Sequence, residues 1–218
     1  MNSLTPTVFL VDDDASVLKA LGRLLRSAGL SAVTFTSAQE FLDHHDQNAS
    51  GCLVLDVAMP RMNGLELQLA LAIQGSQLPV IFLTGNGNIP MSVRTIKQGA
   101  VDFLTKPVND SDLIAAILDA IEKDKVARQA RAKLNGLQQL LAKLTPRERE
   151  VLSHVISGKL NKQIAADLGT VEKTIKVHRA NLMAKLKVQS VAELVKLAER
   201  QQFSAYQATI KKQQLTTE

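Results

Sequence analysis

The chain has no tryptophan, one tyrosine, one cysteine and no apolar run near the ~18 residues that a membrane-spanning helix needs. Each shortage excludes a class. A single cysteine, Cys52, cannot build a disulfide framework, and its place inside an apolar run suits a reducing compartment. So few aromatic rings leave no stacking platform for single-stranded nucleic acid. The N-terminus, MNSLTPTVFLVDDD, has no basic start and meets acid too early for a secretory signal. A soluble cytoplasmic protein without a membrane partner is expected.

Charge of one sign is scarce in each half. Residues 1–123 hold 8 Lys and Arg against 13 Asp and Glu, whereas residues 124–218 hold 18 against 8, which the net +5 of the whole conceals. A basic half points to a polyanion, duplex DNA given the missing aromatics, and an acidic half points to metal or phosphoryl chemistry. At 218 residues there is room for two small domains with separate cores.

The acidic half is organised around GCLVLDVAMPRMNG (51–64), an apolar run that ends in Asp56 and breaks at Pro60 and Gly64. An unalternating run of this kind suits a parallel strand covered on both faces. TVFLV (7–11), SAVTF (31–35), PVIFLT (79–84) and VDFLT (101–105) are further strand runs. Amphipathic stretches follow them near 15–28, 38–45, 64 onward, 90–98 and 111–122. Five βα units in about 120 residues predict an α/β doubly wound parallel sheet with helices on both faces.

The strand ends of such a sheet open on one edge, where ligands bind. Asp12 and Asp13, Asp56, Thr84 and Lys106 would converge there. Alone, each has an ordinary use as a turn, cap or surface residue. Together, in the order DD, D, T, KP, they form a phosphoryl site. Crowded carboxylates raise one another's pKa unless a cation joins them, and Mg²⁺ takes one or two carboxylates, a carbonyl and waters. Asp56 would attack phosphorus in line, Lys106 would neutralise the transferring oxygens and Thr84 would hold one of them.

LVDDD, LVLDVAMPRMNG, FLTGNGNIP and GAVDFLTKP resemble the receiver domain of two-component response regulators over residues 5–123. The resemblance implies strand order 2-1-3-4-5, Asp56 as acceptor of phosphate from a sensor histidine kinase, and Mg²⁺ held by Asp12, Asp13, Asp56 and the Ala58 carbonyl. It also implies a cis Lys106–Pro107 bond and a switch made of Thr84 and Phe103. A rival class fits one motif: Asp12-Asp13-Asp14-Ala15-Ser16 has the DxDx(T/S) form of haloacid-dehalogenase-like phosphohydrolases, with Asp12 as nucleophile. That class needs a further acidic pair at a later strand end, which the sequence lacks. The chain is therefore not expected to be an enzyme beyond turning over its own phosphate.

Beyond residue 123, Ala127, Ala130, Leu134, Leu137, Leu141 and Leu144 keep a 3,4,3,4,3 spacing. This predicts a helical linker over 124–143 that pairs with its twin, unless Asn135-Gly136 breaks it. LTPREREVLSHVISG opens with Thr145 as N-cap, Pro146 at the first helical position and Glu148 in the capping-box place. NKQIAADLG predicts a short helix over 161–168, and VEKTIKVHRANLMAKL a basic helix with Val171, Ile175, Leu182 and Leu186 inward. Lys173, Lys176, Arg179 and Lys185 would then face outward. Helix, turn and basic helix is the plan in which the second helix enters the major groove.

LTPREREVL, NKQIAADL and TIKVHRANLMAKL resemble the LuxR-type four-helix, all-α output domain over residues 144–200. Joined to the receiver, they make the chain similar to FixJ/NarL-type response regulators. The resemblance implies promoter DNA contacted by Lys173, Thr174, Lys176, Val177, Arg179 and Asn181, with Lys185 beside them. It further implies RNA polymerase as a partner and a homodimer formed on phosphorylation. The dimer would use the face of residues 90–122 and, on the last helix, Val191, Leu194, Val195 and Ala198. One departure is Gly169-Thr170-Val171, where the capping hydroxyl falls one place early and blurs the start of the basic helix. Residues 201–218, rich in Gln and Lys, read as a polar tail.

Overall fold

Five short β-rich runs become five parallel strands; the central β3 and β4 runs are apolar and buried throughout, while the edge runs are more exposed. A computed structural model describes residues 5–85 and 99–196 of the chain. The strands are β1 (Thr7–Val11), β2 (Ser31–Phe35), β3 (Gly51–Asp56), β4 (Val80–Thr84) and β5 (Asp102–Thr105). They form one sheet of order β2-β1-β3-β4-β5, all pairs parallel.

Helices α1 (Ala15–Ser27), α2 (Ala38–His44), α3 (Gly64–Ile73) and α4 (Asp110–Ala142) follow in chain order. The helix expected near 90–98 lies outside the described residues. The side-chain alternation of the strands divides the core in two. Leu53, Leu55, Val80 and Phe82 pack on one face with Phe41 of α2 and Leu67 and Leu71 of α3. Val8, Leu10, Val54, Ile81 and Leu83 pack on the other with Leu18 and Leu25 of α1 and Leu113 and Ile117 of α4. Cys52 lies in this second layer, where burial pushes its thiol up to about 12 and keeps it protonated.

The structure divides into two units, Met1–Gln129 and Ala130–Glu218. No helical break occurs at Asn135-Gly136. α4 continues through them for 33 residues, so the expected linker is the second half of a helix that begins in the receiver. Within the first unit α4 is fastened by a polar clamp. Asp124, almost fully buried, accepts hydrogen bonds from Gly51 N–H (3.0 Å), Ser50 Oγ (3.2 Å) and Arg128 Nε (2.7 Å). Arg128 also donates to the carbonyls of Asn48 and Ala49. Gly51 has φ +134° and a Cβ there would strike the Thr7 carbonyl, so only glycine lets β3 start this close to β1 while its N–H points to Asp124. Arg128→Ala leaves the Asp124 carboxylate under-partnered in the core, and a loss of about 2 kcal/mol is expected. The check is hydrogen exchange of the β3 amides, which should speed up in the variant.

The second unit has its own core, built by α5 (Pro146–Ile156), α6 (Asn161–Asp167), α7 (Glu172–Leu186) and helical residues 191–196. Val151, Val155, Ile164, Ile175, Leu182, Leu186 and Leu194 are buried in it together with Leu144, and Leu140 and Leu141 pack against it. The last two positions of the twin-pairing stripe, Leu141 and Leu144, are thus drawn into this core. Leu194, expected on a dimer face, is also core; Val191 and Val195 are more open, and Ala198 and the tail 201–218 lie outside the described residues. No helix among the described residues is long and apolar enough to cross a membrane.

Candidate functional site

Register brings the acidic residues together. Val11 of β1 pairs with Leu55 of β3, so the next residues, Asp12 and Asp56, leave adjacent strands at the same level. Asp56 pairs with Leu83 of β4, and Thr84 pairs with Thr105 of β5, which places Lys106 at the same edge. Gly64 opens α3 against the carbonyl of Asp56, and a Cβ there would collide with that oxygen. Asn63 caps α3 in a capping box with Glu66, which fixes how the chain turns away from the acid.

Asp12 and Asp56 are only 3 % and 5 % exposed. Lys106 Nζ lies between them, 2.5 Å from Asp12 Oδ2 and 2.7 Å from Asp56 Oδ1. The other oxygens are also engaged: Asp12 Oδ1 accepts the Asp14 N–H at 2.9 Å and Asp56 Oδ2 accepts the Ala58 N–H at 2.8 Å. Burial raises the Asp12 pKa against the pull of the Lys106 hydrogen bond. Burial also pulls Lys106 down, but its hydrogen bonds to Asp12 and Asp56 outweigh this and hold the ammonium above its ordinary value. Thr84 is buried at the end of β4, and its carbonyl accepts the Lys106 N–H at 2.7 Å. Phe103 packs half-buried against the α2–α3 side of the core, and the Lys106–Pro107 bond is cis.

The three consecutive acids separate. Asp12 turns inward and Asp13 is exposed. Asp14 caps α1, accepting the N–H groups of Ser16 and Val17, which hold its carboxyl below the usual range. Asp13 therefore does not join Asp12 and Asp56, and no three His, Cys, Asp or Glu side chains are gathered as a cage among the described residues. Two buried carboxylates sharing one ammonium still leave a net negative, all-oxygen donor set. That set fits Mg²⁺, which keeps several waters and needs only one or two carboxylates.

In the second unit the capping box of α5 forms as its sequence predicts: Glu148 N–H donates to Thr145 Oγ1 and Thr145 N–H to Glu148 Oε2. α7 begins at Glu172 with Val171 at the N-cap and no side-chain cap, so the Thr170 hydroxyl does not start it. Val171, expected inward, is exposed, because the N-cap precedes the turn at which the inward face begins. Lys173, Lys176, Val177, Ala180, Asn181 and Ala184 form the exposed line of α7. Thr174 and Arg179 are half-buried. Lys185 does not face outward freely: its ammonium is 2.7 Å from the buried Glu148 Oε2.

Residues 8–118 match the family model described as the response regulator receiver domain, just over half of the chain. The chain belongs to the response regulators. Residues 142–198 match bacterial regulatory proteins of the luxR family. The response regulator is 46% identical over 200 residues to the response regulator protein TmoT of Ectopseudomonas mendocina, covering 92% of this chain and 91% of that one. It is 41% identical to the transcriptional regulatory protein FixJ of Bradyrhizobium diazoefficiens over 88% of this chain and 94% of the other. Among solved structures it is similar to the response regulator StyR, with TM-score 0.86 and 48% identity over 90% of this chain and 99% of that chain.

Receiver and LuxR-type DNA-binding domain together imply a histidine kinase and DNA as partners. This organisation is consistent with a chain that is not a conventional enzyme. The dehalogenase-like alternative has no footing in the response regulator, since residues 8–118 match the receiver domain and β5, the last strand among the described residues, ends at Thr105 and is followed by Lys106 without a further acidic pair. Two residues escaped the sequence. Ala180 carries no chemical signal, and only helix geometry puts it on the exposed line. Asn161, at the first turn of α6, accepts a hydrogen bond from Arg179 Nη1 at 2.7 Å, a contact between positions eighteen apart.

Proposed function

We propose that phosphoryl transfer from a histidine kinase to Asp56 controls dimerisation and sequence-specific DNA binding, and so transcription. The observation that carries this reading is the Lys106 ammonium held between two buried carboxylates at the sheet edge. An Asp56 oxygen attacks phosphorus as the P–N bond of the donor phosphohistidine breaks, the electron pair leaving on the imidazole nitrogen. Lys106 follows the charge onto the transferring oxygens. Asp12, Asp13, Asp56 and the Ala58 carbonyl would hold Mg²⁺, which would supply charge neutralisation on the phosphoryl oxygens. The Thr84 hydroxyl then takes a phosphoryl oxygen and Phe103 turns into the space it leaves, the two-state element of the switch.

On this reading residues 1–123 receive the signal and residues 124–143 relay it. Residues 144–200 read duplex DNA through Lys173, Thr174, Lys176, Val177 and Asn181 at the groove and Arg179 at its border. Exposed Val177 suits the methyl group of thymine, and the lysines suit phosphates or guanine edges. RNA polymerase is the proposed downstream partner.

The test selects operator fragments from random duplexes and measures their binding with and without a small phosphodonor and Mg²⁺. Wild type should gain one phosphoryl mass, dimerise and bind more tightly, and Asp56→Asn should do none of these. Equal tightening in both proteins would leave the output domain standing and remove Asp56 from its control.

A further inference from the structure

On α7, Arg179 shares its face with Ile175, Leu182 and Leu186, the three buried residues of the helix, and not with the exposed line of Lys173, Lys176, Val177, Ala180 and Asn181. Its backbone position therefore faces the core. Arg179 is half-buried, and its guanidinium reaches the first residue of α6. There Nη1 donates to Asn161 Oδ1 at 2.7 Å.

The partner's chemistry matters. Four basic side chains of this unit pair with acids, Lys185 with Glu148, Lys159 with Asp167, Arg147 with Glu150 and Lys176 with Glu172, and Arg147 also donates to the Leu168 carbonyl. Arg179 has no carboxylate partner among the described residues, and the group that holds it is a neutral amide. Its charge is fixed in place without being neutralised. A planar guanidinium with one corner tied keeps further N–H donors for an anion, and the Asn161 amide keeps its own NH₂.

In a helix-turn-helix the second helix lies in the groove, with its early residues on base edges, while the first helix crosses the sugar-phosphate backbone. A guanidinium carried by the second helix and delivered to the start of the first sits at the border between groove and backbone. We infer that Arg179 binds a DNA phosphate, and that Asn161 is the positioning residue that orients it. The pair sets the register of α7 in the groove and reads no base. This rests on α7 being the DNA-reading helix. Of the residues that the resemblance places against DNA, Arg179 is thereby assigned to the backbone and not to a base.

The experiment uses the full chain with phosphodonor and Mg²⁺ throughout. It measures binding to the selected operator and to a random duplex as a function of salt, for wild type, Arg179→Gln, Asn161→Ala and the double variant. Arg179→Gln should weaken both duplexes by the same factor, about tenfold, and lower the salt-dependence slope by about one phosphate. Asn161→Ala should weaken both by a smaller common factor, about threefold, without shifting the thermal midpoint, because an oriented fork loses less entropy on binding than a free one. The double variant should bind no worse than Arg179→Gln alone. A loss confined to the operator, an unchanged salt slope for Arg179→Gln, or a further loss on adding Asn161→Ala would each overturn the clamp. Failure of the wild type to bind any duplex would instead remove the parent reading.

Discussion

Lys106→Met is expected to destabilise the first unit by about 3 kcal/mol at neutral pH, the scale for removing one partner of a buried charge cluster. The variant leaves Asp12 and Asp56 on adjacent strand ends with no cation between them. Both are buried, so water screens their repulsion poorly. The pH dependence has a definite sign. The folded state holds the Lys106 proton above the ordinary value of 10.5, so the wild-type contribution is complete below that value and is lost as pH rises through the raised pKa. In the variant the deficit belongs to the carboxylates. Burial already places the Asp12 pKa above 3.8, so acidification lets it take a proton in the folded state first, and the deficit closes.

Hydrogen exchange of the β1 and β3 amides at neutral pH and near pH ~4 measures this directly. Added Mg²⁺ should slow exchange more in the variant than in wild type, since a cation bound only by the folded state stabilises it. A variant as protected as wild type at neutral pH, or a deficit of equal size at both pH values, would show that Lys106 does not compensate the pair.

The second large effect concerns the output unit. Lys185→Met strands Glu148, 3 % exposed, with only Thr145 to satisfy it. A loss of about 2–3 kcal/mol is expected, below the figure for a fully buried pair because Lys185 is itself about a third exposed. The Lys185 hydrogen bond, helped by the Thr145 N–H, holds the Glu148 carboxyl below its ordinary value of 4.5. The unfolded chain thus binds its proton first, and wild-type stability is full above that value and falls as pH drops through the lowered pKa. In the variant that acid dependence should shrink. Protease susceptibility of residues 144–196 across the acid range distinguishes the two proteins, and matching curves would refute the pairing. DNA affinity should fall only in proportion to the unfolded fraction, because Lys185 serves the core.

That assignment shows where residue type misleads. A lysine on a basic helix carries the same letter whether it meets DNA or a buried glutamate, and its partner here lies 37 residues away. The same holds for the three acids after β1. The sequence places them together, and only the turn geometry sends Asp12 inward, leaves Asp13 exposed and spends Asp14 on a helix cap.

What the chain determines locally is considerable. Apolar runs bounded by acid, Gly and Pro specify five strands, and capping signals at Asn63 and Thr145 specify where α3 and α5 begin. The order of acid, acid, hydroxyl and lysine at the strand ends specifies the site, because parallel strands with short crossovers must open on one edge. Local signals were silent or divided elsewhere. Asn135-Gly136 carries a turn signal, yet the helix continues through it, since a cost of about 1 kcal/mol for glycine is smaller than what a continuous hydrogen-bond ladder returns. Leu141 and Leu144 fit a coiled-coil seam by spacing but are drawn into the output core. Tertiary structure alone decided that Lys106 and Lys185 are compensated and that Arg179 is only held. Compensation depends on what a side chain meets across the fold, and no spacing along the chain records that.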